Sequence, residues 1–194
     1  MHSVVVAAGL EKFVLTGSSG GAPVSLAYAA EHPENVCCLV ITGGFMKGAL
    51  KRGVDPSYVD AFGRLIEEGW GGKNPAFRQM MSTQLFPSAT QNQLRAFDIL
   101  QQKAADGRTA ANLMNNLAKV DVSSLLPRIK APTLIFHSDQ DARQPFEQAV
   151  KMAELIPNAE LHVLDSDNHA PLEHEPIFES YCRLTVDFIN RHCQ

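Results

Sequence analysis

Apolar residues fall along this chain in two rhythms, and the change between them divides it. From Glu11 to Thr16 and again from Val36 to Thr42 the apolar positions run together, Val-Cys-Cys-Leu-Val-Ile in the second case, as in a parallel strand buried on both faces. Between them, Ala22 to Glu31 carries Ala, Leu and Tyr at helical spacing. Pro23 falls in the first turn, where its missing donor is harmless, and His32-Pro33 closes the helix. Val4 to Leu10 reads as the tail of an earlier helix ended by Gly9. From Gly43 to Val122 no strand-like run occurs. The stretches Pro56 to Glu68, Pro75 to Gln84, Thr90 to Ala105 and Thr109 to Leu117 are amphipathic, with Gly69-Trp70-Gly71-Gly72 joining two of them and Thr90 with Gln93 forming a capping box. Strand patterning returns at Ala131 to His137 and at Ala159 to Leu164, separated by a helix from Pro145 to Ile156 and followed by a long amphipathic helix from Pro176 to Arg191. The expectation is an α/β fold: a mainly parallel sheet of about four strands with flanking helices in a core of residues 1–42 and 123–194, and a helical insertion at 43–122.

Composition narrows the partners. At 45% hydrophobic and 20% charged, the 194 residues suit one ordinary globular core and exclude a disordered or collagen-like chain. With 17 basic and 21 acidic side chains the net charge is −4, so no basic field is on offer to nucleic acid or to an anionic membrane surface. No apolar run approaches the ~20 residues that span a bilayer, and Met1-His2-Ser3-Val4 lacks the features of a signal peptide. A soluble, cytoplasmic protein without a membrane partner is expected. Cys37, Cys38, Cys182 and Cys193 show no metal-binding spacing, and adjacent strand residues point to opposite faces, so these four are expected to be small core or surface residues and not a disulfide framework or a zinc site.

Candidate chemistry begins at Gly17-Ser18-Ser19-Gly20-Gly21, a G-x-S-x-G sequence with a strand before it and a helix after it. In that context Ser19 sits at the apex of a sharp turn, and glycines two before and two after it are expected because a side chain there would clash. The Gly20 amide falls in the first helical turn, where N–H groups lack intrahelical acceptors and the helix dipole favours negative charge, making it a candidate oxyanion donor. A serine hydroxyl needs a base, and the base needs an orienting carboxylate. His137-Ser138-Asp139-Gln140-Asp141 directly follows one strand and Asp165-Ser166-Asp167-Asn168-His169 the next, at the carboxyl ends where open parallel sheets place their sites. Asp139 and Asp141 both qualify as the acid, and His169 and His174 as the base.

On these residues the chain resembles the α/β-hydrolase superfamily over almost its whole length, and the order serine, acid, histidine is the family's. Pro132-Thr133-Leu-Ile-Phe-His137-x-x-x-Asp141 is similar to the family's acid-bearing strand, whose second aspartate is the usual triad member, and the family's base stands just after the last strand. The resemblance therefore implies Ser19 as nucleophile, Asp141 as orienting acid and His169 as base. Gly69-Trp70-Gly71, Asn74-Pro75-Ala76-Phe77-Arg78-Gln79 and Phe86-Pro87-x-Ala89-Thr90 resemble the helical cap of hydrolase domains found alone or fused to helix-turn-helix regulators and nucleotide cyclases. The resemblance implies serine acyl-transfer chemistry without a cofactor. An apolar cap with no evident charged clamp points to a carboxylesterase acting on small to medium esters, and Phe45, Trp70 and Phe86 are expected to line an acyl pocket under the cap, a role compatible with core packing of aromatic residues at helical spacing.

Two further expectations come from what the family has before its nucleophile strand. The strands, helices and second oxyanion loop found there have no counterpart in this sequence, which favours, as the alternative to an esterase, a ligand-binding or sensory module with little turnover. It also leaves Phe13 to Thr16 as an edge strand, and an apolar edge is a template for pairing, so a homodimer covering that strand is expected. The acidic group Asp139, Asp165, Asp167, Glu173 and Glu175 with His174 reads as a solvated loop, and no metal is expected.

Overall fold

The computed structural model describes residues 1–193 and divides into two compact units, Met1–Met46 with Val122–Gln194, and Lys47–Asp121. In the first unit four parallel strands, β1 (Phe13–Ser18), β2 (Val36–Thr42), β3 (Thr133–Ser138) and β4 (Ala159–Leu164), lie side by side in chain order. A short N-terminal helix, α1 (His2–Ala7), ends at Gly9, whose φ of +64° is the left-handed conformation that lets the chain turn into β1. Helix α2 (Ala22–Glu31) connects β1 to β2. Ala22, Leu26, Ala29 and Ala30 are buried against Leu15, Leu39, Ile41 and Ile135 on one sheet face.

On the other face, Cys38, Val40, Leu134, Phe136 and Leu164 form a second apolar layer with Phe188 of the last helix of this unit, whose range is Ile177–His192. Both strand faces are thus covered, which is why β2 and β3 are buried at nearly every position.

The cysteines depart from expectation. Between β1 and β2 the register slips: Phe13 pairs with Val36 but Val14 with Cys38, so Cys37 is an extra residue opposite no partner. Alternation is lost there. Val36 and Leu39 pack on one face while Cys37 and Cys38 both pack on the other, where Cys37 is joined to Cys193 in a disulfide. The two-face rule fails because it assumes a regular pleat.

The second unit is helical: α3 (Pro56–Gly69), α4 (Ala76–Leu85), α5 (Gln91–Ala104) and α6 (Gly107–Lys119). In the first unit α7 (Glu147–Leu155) then links β3 to β4, and Ile177–His192 is α8. Helices α3, α5 and α6 each have a side-chain cap. Asp55 accepts from Ser57 N at 2.7 Å, Thr90 and Gln93 cap α5 reciprocally, and Asp106 accepts from Thr109 N at 2.7 Å. Asp106 caps α6, which starts at Gly107, two residues before the Thr109 expected from periodicity. Gly107 is needed there because a Cβ would lie 2.3 Å from Glu67 O of α3. Ile66, Ala110 and Ala111 pack together with Phe62, Trp70 and Phe77. Arg78, 1% exposed, donates to Asp98 at 2.7 Å and to the carbonyls of Trp70 and Gly72, so one buried guanidinium ties α4 to α5 and to the glycine-rich connection.

Candidate active site

Ser19 follows the last residue of β1 and opens the turn into α2. Its φ of +49° is the only positive value at a non-glycine residue among those described, a strained conformation of the kind that collects at functional turns. Gly17 is needed for packing: a Cβ there would stand 2.8 Å from Ser25 Oγ and 3.0 Å from Ile41 Cδ1. Gly21 is different. A Cβ on it would meet nothing within 4 Å and its φ is −75°, so the clash expected two residues after the serine does not exist. Gly20 lies in the first turn of the helical segment.

Parallel register sets the other groups at the same end of the sheet. Ser18 is level with Thr42, Thr42 with Phe136, and Ser138 with Leu164, so the segments after all four strands emerge together. After β3 the chain turns so that Asp141 comes back over the strand. Its Oδ1 accepts from Arg143 N at 2.8 Å and Gln144 N at 3.1 Å, and its Oδ2 accepts from His169 Nδ1 at 2.7 Å. Asp139, by contrast, is exposed, and so is His174. The Asp141 side chain is 0% exposed and that of His169 4%. Burial alone would raise the Asp141 pKa. The His169 hydrogen bond and charge, with the Gln144 and Arg143 amides, outweigh it and hold the carboxyl below its ordinary range. An ionised carboxylate only accepts, so His169 carries its proton on Nδ1, and in the neutral ring Nε2 keeps its lone pair. That Nε2 is buried and has no hydrogen-bond partner.

Two features hold His169 in place. A Cβ on Gly43, the residue after β2, would lie 2.7 Å from His169 O and 2.8 Å from His169 Cε1, so the histidine packs onto bare backbone one strand over from Ser19. Gly43 has a φ of +57°, which glycine adopts without strain. The loop itself is braced from within. Ser138 Oγ donates to Asn168 O at 2.5 Å, Asn168 N to Ser166 Oγ at 3.0 Å, and Ser166 Oγ and Leu172 N both donate to Glu175 at 2.5 Å. Glu175 thus serves the loop fold. The acidic residues of this region do not converge, and among the described residues the only group of potential metal ligands is Cys37, Cys38 and Cys193.

His137 approaches the same carboxylate. Its Nε2 stands 3.0 Å from Gln144 O and 3.5 Å from Asp141 Oδ2, and since a carbonyl only accepts, Nε2 carries the proton. Burial lowers the His137 pKa, so the ring is neutral. His137, Gly43 and the Ser166–Glu175 brace were not legible as site residues, because each works through tertiary contacts. The one local signal was a Gly-Gly pair directly after a buried strand.

Of the aromatic residues expected to line a pocket, Phe45 is buried, 3% exposed, just after Gly43-Gly44. Trp70 and Phe86 belong to the helical unit. The Trp70 indole N–H donates to Gln101 O and Ala105 O, and Phe86 packs edge-on to Phe97 at 5.2 Å.

The model for the alpha/beta hydrolase fold matches residues 2–176. The chain belongs to the alpha/beta hydrolase family. Among curated members it is similar to a 2-hydroxy-6-oxo-6-phenylhexa-2,4-dienoate hydrolase of Burkholderia cepacia, 28% identical over 94% of this chain and 64% of that protein. It is also similar to a 2-hydroxy-6-oxononadienedioate/2-hydroxy-6-oxononatrienedioate hydrolase of Pseudomonas putida, 28% identical over 93% and 64%. The chain thus spans about 64% of the length of these relatives. Among solved structures, an esterase from Exiguobacterium antarcticum shares the fold at a TM-score of 0.76 and 22% identity, over 100% of this chain and 71% of that one. A hydrolase from Pseudomonas aeruginosa does so at 0.79 and 15%, over 97% and 68%.

Proposed function

We propose that the chain is a serine hydrolase that cleaves small to medium carboxylic esters through an acyl-enzyme on Ser19. His169 Nε2 takes the Ser19 proton as Oγ attacks the ester carbonyl, then returns it to the leaving alcohol, and in the second half activates water in the same way. Asp141 keeps the ring in the Nδ1–H tautomer and stabilises the imidazolium that forms. The Gly20 amide donates to the oxyanion, a single such donor being worth about 10²–10³ in rate. The observation that carries this reading is the 2.7 Å bond between His169 and the fully buried side chain of Asp141, which leaves a lone-pair nitrogen buried and unpartnered at the end of the sheet where Ser19 sits. The test is hydrolysis of p-nitrophenyl acetate and butyrate by the pure chain beside its Ser19→Ala variant. Turnover lost with Ser19 supports the proposal and turnover retained refutes it. No turnover in either, with thermal stabilisation by a carboxylic acid, supports a ligand-binding module instead.

The relatives' names favour a second reading, in which the same serine and histidine hydrolyse a 2-hydroxy-6-oxodienoate. Steady-state kcat/KM for 2-hydroxy-6-oxo-6-phenylhexa-2,4-dienoate against the nitrophenyl esters separates the two.

We propose further that a second copy of the chain pairs along β1, which has β2 as its one neighbour among the described strands.

A further inference from the structure

Away from Ser19, three sulfur atoms meet where β2 and α8 pack. The Sγ atoms of Cys37, Cys38 and Cys193 all lie within 4.8 Å of one another. Cys37 and Cys193 are bonded, and the Cys38 thiol stands 3.2 Å from Cys193 Sγ. The register slip brings this about: without the extra residue at Cys37, Cys37 and Cys38 would face opposite sides of the sheet. Cys38 is fully buried among Val40, Leu134, Phe136 and Phe188, whereas Cys37 and Cys193 are partly exposed. Cys182, the fourth cysteine, is a free thiol outside this group.

We propose that Cys37, Cys38 and Cys193 form a thiol–disulfide exchange site, in which Cys193 is bonded alternately to Cys37 and to Cys38 and which a small dithiol opens. In the internal step Cys38 gives its proton to solvent and the thiolate attacks Cys193 Sγ. The Cys38–Cys193 bond forms as the Cys37–Cys193 bond breaks, and the electron pair leaves on Cys37 Sγ, which takes a proton. One thiol and one disulfide enter and one of each remain, so no oxidant is needed. Opening by dithiothreitol begins with attack on a partly exposed sulfur of the pair. The mixed disulfide is then displaced by the reagent's second thiol, leaving oxidised cyclic reagent and two protein thiols. Burial pushes the Cys38 thiol up, so at rest it is protonated and the internal step is slow. In either bonded state, across 156 residues of chain for Cys37 and 155 for Cys38, Cys193 fastens the end of α8 to β2, a loop long enough for the cross-link to restrict the unfolded state strongly.

The experiment needs no substrate and is independent of the serine-hydrolase reading. The unreduced native chain is held at pH 8.5, quenched in acid, unfolded and alkylated, and the label is located by fragment-ion mass spectrometry. Label on both Cys37 and Cys38, in different molecules, is the expected result, and label on Cys38 alone overturns exchange. In Cys37→Ala oxidised with glutathione disulfide, which is reduced as the protein's bond forms, thiol titration in denaturant should count one free thiol, with a Cys38–Cys193 cross-link in the peptide map. Three free thiols there overturn the proposal, and if that variant does not fold the native-chain labelling decides alone. Dithiothreitol should lower the melting temperature by about 5–15 °C. An unchanged melting temperature overturns the fastening.

Discussion

Asp141 gives both carboxylate oxygens to hydrogen bonds, one to backbone amides and the other to His169, and the pH dependence of the chain follows from that. Its folded pKa lies below the unfolded value, so the native state binds fewer protons than the unfolded one near pH 3–4. The stability it contributes is complete above the unfolded pKa and is lost as pH falls through the folded one. His137 acts in the same direction at higher pH. Its pKa is depressed by burial, so its contribution is complete above the unfolded value near 6.5 and declines as the unfolded chain takes up the proton. Melting temperature should therefore fall steadily from pH 6.5 to pH 4.5, and His137→Leu should flatten that slope. An identical slope in the variant would contradict the account. Asp141→Asn should cut ester turnover by about 10³–10⁴ while leaving the fold intact by circular dichroism, because the amide no longer enforces the Nδ1–H tautomer.

At the scale of the element, the turn between β1 and α2 makes a paired prediction. Gly17→Ala should cost about 1–3 kcal/mol in urea unfolding, from overpacking against Ser25 and Ile41. Gly21→Ala, facing open space, should lie within about 0.5 kcal/mol of the parent. Gly43→Ala should lower kcat as well as stability, because the new methyl displaces His169. What could be read from sequence was what local pattern determines. The bounds of α2, β2 and β4 follow from hydrophobic runs and breakers. Position after a strand left Asp139 beside Asp141 and His174 beside His169, and the family resemblance chose Asp141 and His169, the pair that the fold hydrogen-bonds. What could not be read depends on contacts between distant segments: the slip that brings Cys37 and Cys38 to one face, the buried Arg78 with Asp98, and the packing of His169 on Gly43. Arg78 sits in a helix whose pattern gives no sign that a cation is its buried centre. Arg78→Met should cost about 3–5 kcal/mol by leaving Asp98 without its partner.

For the whole molecule, the single-neighbour edge at β1 predicts association. Leu15 and Gly17 are buried by the chain's own core while Thr16 and Ser18 are exposed, so pairing through the backbone, with little apolar contact, is the expected mode. Light scattering at micromolar concentration should give twice the mass of the 21.2 kDa chain, and Thr16→Pro should return it to a monomer. A monodisperse parent monomer would refute the assembly. The function rests on a narrower claim, that Ser19 is a nucleophile activated by His169. The measurement that tests it most directly is peptide mapping after treatment of the chain with a fluorophosphonate, which reacts far faster with an activated serine than with an ordinary one. The account predicts one adduct, on Ser19, lost in His169→Ala. An adduct on any other serine, or on Ser19 at an undiminished rate in His169→Ala, would contradict it.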